Sequence, residues 1–296
     1  MSDTKAEDAD QPAPRIYKVL LMILPVGVVL GTIVFMFMYF YLEREEEKNY
    51  SVIVSHGIRV SDLEDMVDKF TNRIGERAIE TEVGRSGLRK AASMIAGRLG
   101  PQNVGYPITM SDGQPAHGRF WRSLSVEILG ETKPQEILFV AVSYAGAGED
   151  ADANTVSTVM MLASSMAREN PSCTVRFVFM PFDDSTQELN QWLLTRCLMP
   201  GESCLGIIGL KSMDDMPSPG DSDWQISTHS SQDLAWWNSL QNEQATLKQN
   251  DDVVPTVWLT HAVFSSKTWI DQRAQRLEST LVPAQELRKW LVKASE

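Results

Sequence analysis

Two adjacent carboxylates, Asp183 and Asp184, close the run 174–184, TVRFVFMPFDD. Apolar, β-branched and aromatic residues fill the rest of it, and the turn-like Asn170, Pro171 and Ser172 lead in. Such a run reads as a strand buried on both faces of a sheet. The acids then lie beyond its carboxyl end, where open α/β sheets place their sites. On local sequence alone the pair reads equally well as a solvated turn. Of the four histidines, His56 falls in a stalk and His117 and His229 in polar loops. His261, just after the run 253–259, is the one placed near that sheet edge. Ser143, His261 and Asp183 have the residue types of a hydrolytic triad, but no G-x-S-x-G elbow accompanies them.

Composition narrows the classes. The chain has 296 residues and a formal net charge of −12, with an isoelectric point near 4.9. It is long enough for one sizeable domain with appendages. No basic stripe is available to displace phosphate counterions, so nucleic acid is excluded as a partner. A Gly-rich phosphate loop and an EF-hand pattern are also missing. The three cysteines, Cys173, Cys197 and Cys204, have no zinc-site spacing. Cys173 opens the buried strand as a small core residue, and Cys197 and Cys204 could pair across the loop 199–202 in an oxidising compartment. The tryptophans gather in the C-terminal half, where core packing explains them first and an aromatic contact surface second.

The elements that must position these residues follow in chain order. Residues 1–14 are polar and small, a tail too poor in apolar surface to fold. Residues 15–42 form an anchor: from Val19 to Leu42 there is no charged side chain, enough to span a bilayer core of about 30 Å. Residues 43–60 are a charged stalk, and 61–296 the folded domain. Helices are expected over 62–74, capped by Ser61 or Asp62, and over 86–99, stopped by Gly100 and Pro101. Further helices are expected over 155–168, 187–197, within 231–248 and over 283–293. Strands are expected over 119–129, 136–144, 174 onward, 204–210 and 253–259. Their alternation predicts a three-layer α/β/α fold with a mixed, largely parallel central sheet, behind one N-terminal transmembrane helix.

The order of these pieces resembles the co-catalytic di-zinc aminopeptidases, peptidase family M twenty-eight. Ile74-Gly75-Glu76-Arg77 before a helix, the strand Ser125-Val126-Glu127-Ile128-Leu129-Gly130, TVRFVFMPFDD and Val254-Pro255-Thr256-Val257 each resemble a family segment. Relatives include secreted aminopeptidases, glutaminyl cyclases and non-catalytic ectodomains. The resemblance implies two zinc ions with a bridging water and a carboxylate base, held by His and carboxylate ligands. It places the five ligand positions at Ser143, Ala153, Asp184, Lys211 and Lys267, with Asp183 at the base and Asp152 beside the lost bridging Asp. Of the five, only Asp184 can bind a metal.

The resemblance therefore implies a degenerate member that has lost zinc and is no aminopeptidase. Asp183, Asp184 and Asp152 are remnants, and no cofactor is expected. Lys211 and Lys267 are expected to converge on Asp183 and Asp184, their ammonium groups offsetting the buried charge. The implied protein is a single-pass membrane pseudo-peptidase with its C-terminal domain extracytoplasmic, periplasmic or luminal. It would act in binding or scaffolding, with the lipid bilayer and a membrane-protein or peptide partner. The alternative is a metal-dependent hydrolase rebuilt around Asp183, Asp184, Asp152 and His261.

Overall fold

The computed structural model describes residues 28, 30–39, 58–113, 121–181, 187–212, 224–228, 231–241, 254–261 and 273–294. The chain divides into two compact units, Met1–Ile53 and Val54–Glu296. In the first, residues 28 and 30–39 are helical, with exposed apolar side chains that include Phe35 and Phe37. Among the described residues no helix is long and apolar enough to cross a membrane. The rest of the expected span, the tail 1–14 and most of the stalk lie outside the described residues, as do His56, His117 and His229.

The second unit is built on a seven-stranded sheet. Its strands are β1 (Thr109–Gly113), β2 (Trp121–Ile128), β3 (Lys133–Ser143), β4 (Cys173–Met180), β5 (Ser203–Leu210), β6 (Trp224–Thr228) and β7 (Thr256–His261). Their spatial order is β1-β2-β4-β3-β5-β7-β6. β4, β3, β5 and β7 run parallel, and β1, β2 and β6 pair antiparallel, with β1 and β6 at the edges. Every residue of β4 is buried, as the uninterrupted apolar run requires of a strand covered on both faces. Alternate residues serve two cores. Val175, Phe177 and Phe179 pack with Leu138, Val140 and Val142 in the larger cluster, and Val178 and Met180 with Phe139 and Ala141 in the smaller. Helices therefore cover both sheet faces, the expected three layers.

The larger core is closed by α1 (Val60–Asp68), α2 (Glu82–Leu99), α3 (Asp150–Ser165), α5 (Ser231–Gln241) and α6 (Arg273–Ala294), the smaller by α4 (Gln187–Arg196). Trp237 is fully buried and meets Trp290 edge-on at 5.0 Å between ring centroids, so these two tryptophans are core.

Several expectations are corrected. The first helix starts at Val60 after an Arg59 cap that makes no side-chain bond, not at a Ser61 or Asp62 cap. It ends in a π-turn, Lys69–Ile74, because the Gly75 N–H donates to the Phe70 carbonyl five residues back. α2 begins at Glu82 rather than 86, with the Thr81 hydroxyl accepting from the Gly84 N–H at 2.9 Å. Gly84, placed in a loop by the sequence reading, is helical, and so is Gly87, as expected. A Cβ on Gly87 would lie 2.0 Å from the Glu76 carbonyl oxygen, so the helix needs glycine to approach that segment. α3 begins five residues earlier than expected, at Asp150 rather than 155.

α6 begins at Arg273, not at Pro283, which sits inside it. Its first half is held by burial of Leu277 and Thr280, which outweighs the proline. The short edge strands β1 and β6 carry no apolar run and escape sequence reading. β7 extends to His261, two residues past the expected end. Cys197 and Cys204 do not pair: all three cysteines are free and buried. Both side chains point into the smaller core, and the Cys204 thiol donates to the Gly206 carbonyl at 3.7 Å.

Candidate functional site

The parallel strands β3, β4, β5 and β7 all end on one sheet edge. Ser143 is in register with Met180, Val142 with Leu210, and Leu210 with Leu259. Lys211 continues directly from β5, its N–H donating to the Leu259 carbonyl at 3.1 Å. α3 begins beside the same edge and brings in Asp152 and Ala153. Ser143, Ala145, Asp152, Thr155, Leu210, Lys211 and Ser212 line a pocket of about 10 Å³, the room one water needs.

Ser143, Asp152 and Lys211, which the resemblance groups, thus line one pocket. Ala153 does not line this pocket. Its side chain is fully buried in the larger core. His261 ends β7 on the same edge, four residues beyond the position paired with Ile208. Asp183, Asp184 and Lys267 lie outside the described residues, and so does the expected convergence of the lysines on those acids.

Around the pocket the polar groups are tied to one another. The Asp152 carboxylate accepts from the Ser212 hydroxyl at 2.7 Å and from the Ala147 N–H at 3.0 Å. Ser143 Oγ accepts from the Ala145 N–H at 3.1 Å, which folds the side chain back onto its own turn. Gly146 leaves space for Asp152, since a Cβ there would lie 2.4 Å from Asp152 Oδ2.

Arg77 organises this edge from below, and sequence reasoning noted it only inside the segment 74–77. Its Nε donates to the Tyr144 carbonyl at 2.8 Å, and its Nη1 to the carbonyls of Gly75 at 2.9 Å and Phe70 at 3.1 Å. Its backbone exchanges two hydrogen bonds with Gly146. The side chain is fully buried. Burial pushes its pKa down to about 10, with the nearby Asp152 charge acting the other way. The signal for it was the arginine that closes Ile74-Gly75-Glu76-Arg77, before a helix. Ser212 and Thr155 carried no signal beyond their neighbours.

Among the described residues no group of three or more His, Cys, Asp or Glu could hold a metal ion. At the positions where the resemblance puts zinc ligands, Ser143 offers a hydroxyl already bound to backbone, Ala153 has no donor atom, and Lys211 brings a cation. These three described residues supply none of the imidazole, thiolate or carboxylate groups that zinc takes.

No protein-family model and no curated protein matches the sequence. Among solved structures, the glutaminyl cyclase of Fimbriiglobus ruber is similar with a TM-score of 0.51 and 10% identity, over 81% of this chain and 96% of that one. A Bacteroides vulgatus chain described as a Zn-dependent exopeptidase aligns at a TM-score of 0.49 and 13% identity, covering 82% and 98%. A leucine aminopeptidase precursor of Bacteroides thetaiotaomicron aligns at 0.48 and 11%, covering 82% and 99%. The described domain therefore shares its α/β/α fold with a glutaminyl cyclase.

Proposed function

We propose that this chain is a single-pass membrane protein whose extracytoplasmic domain keeps the zinc-exopeptidase fold without its di-zinc chemistry. Its role is binding or scaffolding of a membrane-protein or peptide partner. The observation that carries this reading is the composition of the sheet-edge pocket. Ser143 and Lys211 meet there with Asp152, while Ala153 is spent on the core. A Lys ammonium adds positive charge where two dications would sit, and Coulomb repulsion opposes their entry. Lys211 and Lys267 take over charge neutralisation of Asp183 and Asp184. The uncharged run 19–42 supports the anchor.

One observation favours a second reading. Asp152 faces the same pocket as Ser143 at the edge where β7 ends in His261. A hydrolase rebuilt around Asp183, Asp184, Asp152 and His261 would use that cluster. Hydrolysis of aminoacyl-nitroanilides by the full chain, with and without added zinc, separates the two. The expected result is no turnover above buffer. Turnover that Asp183→Ala abolishes would establish the hydrolase.

A further inference from the structure

A second, larger cavity shares no lining residue with the sheet-edge pocket. It has a volume of about 930 Å³ and runs between α2 and the β1–β2 hairpin. Arg85 and Arg89 approach from α2, one helical turn apart and so on one face. Arg122 comes from β2, across the groove. Leu88, Leu124 and Met110 supply the apolar floor between them, and Met110 is 51% exposed. Register sets Met110 opposite Leu124, so both face the same side of the sheet. No acidic side chain is among the described lining residues.

Arg89 and Arg122 line the groove with Arg85, whose Nη1 donates to the carbonyls of Ile79 and Glu80 at 3.2 Å, and on a chain of net charge −12 this cluster of cations favours an anionic partner. Arginine forks recognise carboxylates bidentately. The size exceeds what a lone inorganic anion fills, and it matches the range of about 300–1,000 Å³ of ligand sites. β1 has one strand neighbour among the described residues, β2, and ends the sheet. Its outer edge can therefore pair with an added extended chain. Cations spaced by apolar positions on that face match a strand whose groove-facing residues, every second one, are in turn acidic and apolar.

We propose that the groove between α2 and β1–β2 docks an extended acidic–apolar peptide segment of a partner protein. This goes beyond the scaffold reading by naming the surface and the partner's chemistry, and it does not depend on the metal positions. The test uses the full chain in phosphatidylcholine nanodiscs and a fluorescein-labelled octapeptide whose odd positions alternate aspartate and leucine and whose even positions are serine. Anisotropy is expected to show saturable binding, absent for the leucine–lysine counterpart. The double variant Arg89→Glu/Arg122→Glu should weaken it at least tenfold. Ser93→Trp, at an exposed helix position lining the groove, should block it without changing charge. Absence of saturable binding, or unchanged affinity in both variants, overturns the proposal. Loss of peptide binding in phosphatidylglycerol nanodiscs or in millimolar phosphate also overturns it, assigning the groove to a lipid headgroup or a free anion. None of these outcomes bears on zinc.

Discussion

Replacing Arg77 by methionine tests how the sheet edge is held. The guanidinium makes three bonds to buried carbonyls, those of Tyr144, Gly75 and Phe70, and lies 5.3 Å from the Phe70 ring centroid. Hydrogen bonds to a charged group contribute about 1.5–3 kcal/mol each, or about 5–9 kcal/mol for three. Removing the side chain also removes the cost of burying a cation, several kcal/mol. The net loss expected for Arg77→Met is about 3–5 kcal/mol, the usual cost of breaking one side of a buried charged network. That is a large part of a typical stability of about 5–15 kcal/mol. With a urea slope of about 2–3 kcal/mol/M, the midpoint falls by about 1–2.5 M.

The assay is urea unfolding followed by tryptophan fluorescence, since Trp237 and Trp290 pack against each other in the core. Arg77→Lys should recover only part of the loss. A compact ammonium cannot reach the Tyr144 carbonyl on one side and those of Phe70 and Gly75 on the other as a planar fork does. A midpoint shift below about 0.3 M for Arg77→Met, under about 1 kcal/mol at that slope, would refute the reasoning.

A second network makes a parallel prediction. Arg176, with its side chain 4% exposed, bonds Glu127 from β2 and Glu202 from the β5 approach. Arg176→Met should cost about 3–5 kcal/mol, while adding Glu127→Leu and Glu202→Leu should recover most of that in the same urea assay. Burial alone would raise the Glu202 pKa, but its Arg176 hydrogen bonds, the Met199 N–H and the Arg176 charge bring it below the ordinary carboxylate value. A depressed folded pKa gives stability that is present above the unfolded value, about 4.3, and is lost as pH falls through the folded one. Glu202→Gln should therefore flatten the acid limb of a melting-temperature profile below about pH 4.5; an unchanged limb contradicts this. Burial pushes the thiols of Cys197 and Cys204 up to about 12 and that of Cys173 up to about 11, the last helped by Glu136. Iodoacetamide at pH 8 should label none of them in the folded protein and all three in urea, read by intact mass. Fast native labelling would show that a thiol is accessible.

The central sheet is legible in the sequence because its strands are buried on both faces. The runs at β3, β4 and β5 have no polar alternation to confuse with a helix of one face, and Asn170-Pro171-Ser172 marks an entrance. The edges are not legible. Thr109–Gly113 and Trp224–Thr228 are short and polar, and only their pairing with β2 and β7 makes them strands. Gly84 and Pro283 were misleading for a different reason. Local propensity counts against helix at each, but close packing of Gly84 on Ala78 and burial of Leu277 and Thr280 override it.

At the site, Ser143, Asp152 and Lys211 were singled out because the resemblance puts them at or beside former ligand positions, and all three line one pocket. Arg77 and Ser212 were not, because their roles arise from carbonyls and a carboxylate distant in sequence: Arg77 reaches Tyr144, and Ser212 reaches Asp152. No periodicity encodes such contacts. Ala153 shows the limit from the other side, since its alignment with a ligand position says nothing of its burial in the core.

The claim that this fold has given up di-zinc chemistry is tested most directly by metal content. The full chain, purified without chelator, equilibrated with excess zinc and freed of unbound metal, is analysed by inductively coupled plasma mass spectrometry. The account predicts well under 0.1 zinc per chain, because Ser143, Ala153 and Lys211 supply none of the three or four ligands that a zinc site takes. One or two zinc ions per chain, lost on Asp184→Ala, would contradict it.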